Sequence, residues 1–165
     1  MVLGRALREF DRYMKRKVIA AADDAVRKAA LAVVNDLQVL GPYWDGYFHD
    51  AWEVREGDVE IPADQEGKKL TRQPKADANS ADFKISDIPE RRGGLRYDSK
   101  PLVLTIGNRM NYRDIAMDLV PDAKGEYRYE RAGATAEQDW YVKYYAGGPM
   151  DQRVGEAIKD LRLPD

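Results

Sequence analysis

Leu3, Leu7, Phe10, Met14, Val18, Ala21, Ala25, Ala29, Ala32, Val33, Leu37 and Leu40 recur at spacings of three and four. That period places one apolar stripe on an α-helix and predicts an uninterrupted helix over 3–40. A straight helix of this length reaches about 57 Å, further than a small domain can cover, so part of it is expected to find another partner. Ala20, Ala21, Ala22, Ala25, Ala29, Ala30 and Ala32 keep the middle smooth, which favours helix and allows a neighbouring backbone to approach. Gly41 suits a left-handed C-cap and Pro42 cannot continue a helix, so the boundary is expected at Leu40.

Beyond an aromatic turn, Tyr43-Trp44-Asp45-Gly46-Tyr47-Phe48, the period changes to two. Ala51-Trp52-Glu53-Val54-Arg55-Glu56 reads as a half-buried strand with Trp52 and Val54 on one face. Residues 57–100 form a polar excursion punctuated by Pro62, Pro74, Pro89 and Gly93-Gly94, with strand character only over Phe83–Ile88. A connection this long is uncommon inside a compact domain, so it is read as a contact arm, either mobile in isolation or ordered by other subunits. Pro101–Gly107 is apolar on both sides, as a central strand is, and is expected to pair with the first strand. Tyr112, Ile115, Ala116 and Leu119 fit a short helix, while Ile115, Met117 and Leu119 fit a strand; the period does not arbitrate over so few residues. Glu126–Glu130 alternates as a third, edge strand. A helical stretch around 137–145, the break Gly147-Gly148-Pro149 and a last helix carrying Met150, Val154, Ile158 and Leu161 complete the chain. The expected fold is α+β: one domain over 1–165, with a long N-terminal helix on a small antiparallel sheet, a long inserted loop and C-terminal helices.

Composition narrows the functional classes. With 165 residues, 44% hydrophobic and 34% charged, the chain suits a soluble globular domain with a modest core. A net charge of −2 gives no global attraction to nucleic acid or membrane. The absence of cysteine excludes disulfides and thiolate metal sites. Charged residues interrupt the N-terminus by Glu9 and Asp11, unlike a secretory leader, and no run approaches the roughly 20 apolar residues of a membrane span.

No motif for catalysis emerges. The single histidine, His49, lies near Asp45 and Asp50, an imidazole-plus-carboxylate set usable by a metal-dependent hydrolase. At a strand border, however, adjacent side chains point to opposite faces, so neither metal nor general base is expected there. Gly93-Gly94 opens no helix and lacks the Lys-Ser/Thr ending of a phosphate loop. Asp23-Asp24 sits mid-helix and is read as a solvated face. Arg12, Lys15, Arg16 and Lys17 form one basic cluster, and Lys68, Lys69, Arg72 and Lys75 another. Both suit an acidic partner or a phosphate backbone, so a DNA-binding module is the alternative reading. Tyr43, Trp44, Tyr47, Phe48, Trp140, Tyr141, Tyr144 and Tyr145 are read as core or interface anchors rather than a base-stacking platform.

The order of parts resembles the tail-completion or head-tail joining (neck) proteins of tailed bacteriophages. The resemblance is carried by the helix end Leu40-Gly41-Pro42, the turn Asp45-Gly46-Tyr47 leading to Ala51-Trp52, the strand Leu102–Ile106 ending in Gly107-Asn108, and Tyr112. The Trp140-Tyr141 helix and the C-terminal helix also match. Two features depart from that pattern: Tyr112 is followed by Arg113 rather than Ala in a segment that ends Asp118-Leu119-Val120-Pro121 instead of Glu-x-Gly-Thr, and the 57–100 loop is longer than usual.

The resemblance implies a non-enzymatic virion protein, made in the host cytoplasm, forming a ring in the neck, expected as a hexamer or dodecamer. Its partners would be further copies of itself, the head connector or adaptor, the tail terminator or tail tube, and DNA passing through the lumen, with no membrane and no cofactor. Gly41, Pro42, Trp44, Asp45, Gly46, Tyr47 and Trp52 are then the helix–sheet junction, and Gly107, Asn108 and Tyr112 the strand end. Arg12, Lys15, Arg16, Lys68, Lys69, Arg72 and Phe83 are the candidate subunit interface.

Overall fold

A computed structural model describes residues 2–42, 47–66, 80–127 and 136–159. The helical period of the N-terminal segment is realised as α1, Val2–Leu40, 39 residues long. Two short elements follow, α2 (Tyr47–Asp50) and strand β1 (Trp52–Glu56). After the excursion come β2 (Leu104–Asn108), α3 (Arg113–Ala116), α4 (Trp140–Ala146) and α5 (Pro149–Lys159). β1 and β2 pair antiparallel, with Trp52 opposite Asn108 and Val54 opposite Ile106. Trp52 and Val54 are both buried, so the period-two pattern marked the core face.

The core lies where the C-terminal half of α1 meets the sheet. Val33, Val34 and Leu37 pack with Phe48, Trp52, Val54, Ile88, Met110, Met117, Trp140 and Tyr144. Phe48 stands edge-on to both Trp52 (5.7 Å between ring centroids) and Trp140 (6.3 Å), a favourable arrangement for ring quadrupoles. Trp140 Nε1 donates to the Ala116 carbonyl at 3.0 Å, tying α4 to α3. α5 returns along α1, where Arg153 reaches Asp36 at 2.8 Å. Tyr144 donates to the same carboxylate at 3.0 Å; burial, and then Asp36 itself, push its hydroxyl pKa upward and keep it a donor.

Several expectations need correction. Gly41 is not in the left-handed region. It closes α1 with a further helical bond to Leu37 O at 3.1 Å, and a Cβ there would stand 2.8 Å from that oxygen, 3.2 Å from Phe48 and 3.3 Å from Trp140. Close packing, rather than a left-handed cap, demands glycine. Gly148, at φ +102°, is the glycine whose backbone turns α4 into α5. Phe83–Ile88 forms no strand but a 3-10 turn over Ile85–Asp87. β2 begins at Leu104, not Pro101, and in the described two-stranded sheet it is no central strand. Tyr112 leads into a helix, which decides between the two readings of that segment. Glu126 and Tyr127 are not in a strand, because Asp122 captures the local backbone by accepting from Lys124 N and Glu126 N; Arg128, Tyr129 and Glu130 lie outside the described residues. So does Leu161, expected on the last helix.

The strand end serves the fold. Asn108 has no exposed surface; its Nδ2 donates to Phe48 O at 2.7 Å and its Oδ1 accepts from Met110 N at 3.0 Å. A Cβ on Gly107 would meet Ile61 at 3.0 Å, and Tyr112 packs against the core. Asn108→Ala strands a buried carbonyl and a buried N–H, so urea denaturation should show a loss of about 3 kcal/mol; an unchanged midpoint would contradict this role.

Candidate assembly surface

α1 divides into two halves of different character. Among its described side chains the first buried one is Asp23, and every one from Arg5 to Arg16 is exposed. The helix up to Ala22 therefore forms an arm of about 30 Å beyond the core. Leu7 and Phe10 are each 61% exposed, and Tyr13, Met14 and Val18 are exposed as well. Isolated surface apolar residues are ordinary, but Leu7, Phe10, Met14 and Val18 share one face. The register carries that face into the body. Eighteen residues, about five turns, lead from Leu7 to the buried Ala25 and from Val18 to Asp36, where α5 attaches. The stripe thus continues the side of α1 that α5 covers lower down.

Most of the basic cluster occupies the opposite side of the arm; Lys17, seven residues beyond Phe10, flanks the stripe instead. Arg8, Arg12, Lys15 and Arg16 project away from the stripe at about 100° per residue. Arg12 lies over the Tyr97 ring, 5.1 Å from its centroid, so this face leans on the chain's own loop. Lys15 pairs with Asp11 at 2.8 Å, Lys17 lies over Tyr13, and Arg16 is exposed. Lys68, Lys69, Arg72 and Lys75 fall outside the described residues, as do Tyr43, Trp44, Asp45 and Gly46 of the junction, and the Tyr47 side chain. Pro42 is partly buried and Trp52 buried at that junction.

The described parts of the 57–100 excursion are held by this subunit. Ile61 is buried under Gly107, Gln65 bridges Met110, and Asp64 forms a two-bond ion pair with Arg109, whose guanidinium lowers the Asp64 pKa. Further along, polar side chains on one face of α1 grip the returning chain. Gln38 Oε1 accepts from Asp82 N (2.9 Å), and Asn35 exchanges two bonds with the Phe83 backbone. Arg27 donates to Ile85 O and Ile88 O. Asp23 takes two 2.7 Å bonds from Arg91 and a third from Leu102 N. Phe83, a candidate for the subunit interface, is consequently partly buried against its own core. Asp23, read as solvated, is buried; only Asp24 fits that reading, paired with Lys28 on the exposed side.

An open groove of about 810 Å³ lies at the other end of α1, lined by Val39, Leu40, Ala136, Trp140, Tyr144 and Pro149, with Asp36 and Arg153 among the polar walls. Sequence reasoning missed this groove, because α1, α4 and α5 each supply only part of it. Among the described residues no helix is long and apolar enough to cross a membrane.

Compared with protein-family models, curated proteins and solved structures, the chain matches none.

Proposed function

We propose that this chain is a structural subunit of a tailed-phage neck, assembling into a ring that joins the head connector to the tail and lets DNA pass. The observation that carries the assembly reading is the apolar stripe Leu7, Phe10, Met14 and Val18, exposed on an arm standing clear of its own core. Its placement in a phage neck rests on the resemblance of the helix end, the aromatic turn and the Ile106-Gly107-Asn108 strand end.

Charge favours a head-to-tail contact. Residues 2–18 carry six basic and two acidic side chains, whereas the rest of the chain carries 21 basic and 27 acidic. An arm with net +4 is attracted to the −6 remainder of another copy and repelled by another arm. The stripe and the Val39–Leu40 groove sit at opposite ends of α1, as a heterologous contact requires. The head connector or adaptor and the tail terminator or tube are the further partners in this reading.

Light scattering and particle images of the purified chain should show closed rings. A strictly monomeric protein, together with virions that join heads to tails without it, would remove the proposal. The DNA-binding alternative predicts affinity that falls steeply with salt; no binding at low salt disposes of it.

A further inference from the structure

Residues 91–102 form a loop that starts and ends at one carboxylate of α1. Arg91 donates twice to Asp23 and Leu102 N once, so both ends of the loop are tied to the same side chain. A loop closed in this way is a compact unit with a tip. Ser99 N donates to Arg96 O at 3.1 Å and Arg96 N to Ser99 Oγ at 3.0 Å, closing a turn that presents Tyr97 to Arg12. Eleven residues, about three turns, separate Arg12 from Asp23, so the loop follows one face of α1 outward from the core to the arm. That face lies opposite the Leu7–Val18 stripe.

The loop brings its own cations there. Arg8, Arg12 and Arg16 follow one another every four residues, about 6 Å apart along the helix, and Arg92, Arg96 and Lys100 lie on the loop that runs alongside; all six are exposed. Residues 2–18 and 91–100 together carry ten basic and three acidic side chains, against 17 and 26 in the rest of the chain. The net charge of −2 thus conceals a +7 arm and loop on a −9 body. Arg96 leans on Asp98 at 3.4 Å and Arg92 on Glu56 at 3.6 Å, both pairs open to water and therefore weak. Arg8, Arg16 and Lys100 enter no ion pair among the described residues.

We propose that Arg8, Arg12 and Arg16 of the arm and Arg92, Arg96 and Lys100 of the loop form one face that binds the phosphate backbone of double-stranded DNA. The duplex carries about one charge per 1.7 Å of its axis, a density and regularity that a straight row of cations matches and that a mixed-sign protein surface lacks. Five of the six are arginines, whose guanidinium forks take phosphate oxygens two at a time. An exposed helix suits B-form DNA, whose major groove is wide enough to admit one, rather than the narrow groove of duplex RNA. Asp23 and Tyr97 hold arm and loop together before a partner arrives, so little ordering cost opposes binding. The neck reading leaves this face unassigned, and the proposal does not depend on ring formation.

The test is fluorescence anisotropy of the full chain with a short labelled DNA duplex. With about five phosphates engaged, affinity should fall about 500-fold between about 50 and 200 mM salt, equally for unrelated sequences. Arg8→Gln with Arg16→Gln, and separately Arg96→Gln with Lys100→Gln, should each lower the slope of log affinity against log salt by about two. All four side chains are exposed, so Tm should hold. Lys124→Gln, in the turn that Asp122 closes, should change nothing. A chain with Leu7, Phe10 and Met14 replaced by serine should keep the slope, so failure to form rings and failure to bind DNA are read separately. No binding at low salt, loop variants that bind like the unaltered chain, or duplex RNA bound as tightly as DNA overturns the proposal. Polyglutamate bound as tightly also overturns it and assigns the face to an acidic protein instead.

Discussion

Replacing Asp23 with alanine is expected to destabilise the protein by about 4 kcal/mol, among the largest effects of any single substitution in α1. The carboxylate is buried and takes three bonds, two from the Arg91 guanidinium and one from Leu102 N. Its loss leaves a largely buried cation and a buried N–H without their partner, and breaking one side of such a pair typically costs about 3–5 kcal/mol. The pair itself is worth less than that figure, because its formation already opposes the desolvation of both ions. Asp23→Asn, which retains an acceptor, should lose roughly half as much. In a double-mutant cycle with Arg91→Ala, the loss should shrink markedly when Arg91 is already absent. Additive effects would show that Arg91 does not hold Asp23 in solution.

Asp23 also shows why parts of the sequence resisted reading. Its partner lies 68 residues away, and nothing in a helical period announces so distant an ion pair. The signal that was present is subtler: Asp23, Arg27, Asn35 and Gln38 interrupt an alanine-rich helix on one face, and that face holds the returning chain. The same grip explains the lost strand at Phe83–Ile88, since backbone groups captured by Asn35 and Arg27 are not available to a sheet ladder. It also shortens β2, because Leu102 N belongs to Asp23. Features set by local period were legible: the span of α1, the buried Trp52–Val54 face and the β1–β2 pairing. Features set by convergence were not. The contact of His49 Nε2 with the Ser80 carbonyl at 2.7 Å depends on α2 replacing an expected strand border and on a loop returning 31 residues later. The arm was legible as surplus length, but which face it would leave bare required the position of α5.

Substituting Leu7, Phe10 and Met14 together with serine should abolish assembly and leave the fold intact. All three side chains are exposed in the subunit, so their removal creates no cavity and should move Tm by no more than a degree or two. In an assembled ring they would be the apolar anchors, each contributing about 1–3 kcal/mol when buried, and losing all three should lower affinity by several orders of magnitude. Deleting Val2–Lys15 should act in the same direction. The head-to-tail reading makes a sharper demand. Leu40→Asp places a charge in the groove at the far end of α1 and should block assembly from the receiving side. A copy with a defective arm still offers an intact groove, and a copy with a defective groove still offers an intact arm. Mixed, the two should form dimers by light scattering and nothing larger, because each dimer lacks a usable surface at both ends. Restored rings in the mixture, or unchanged self-association of Leu40→Asp, would mean that the arms meet each other instead.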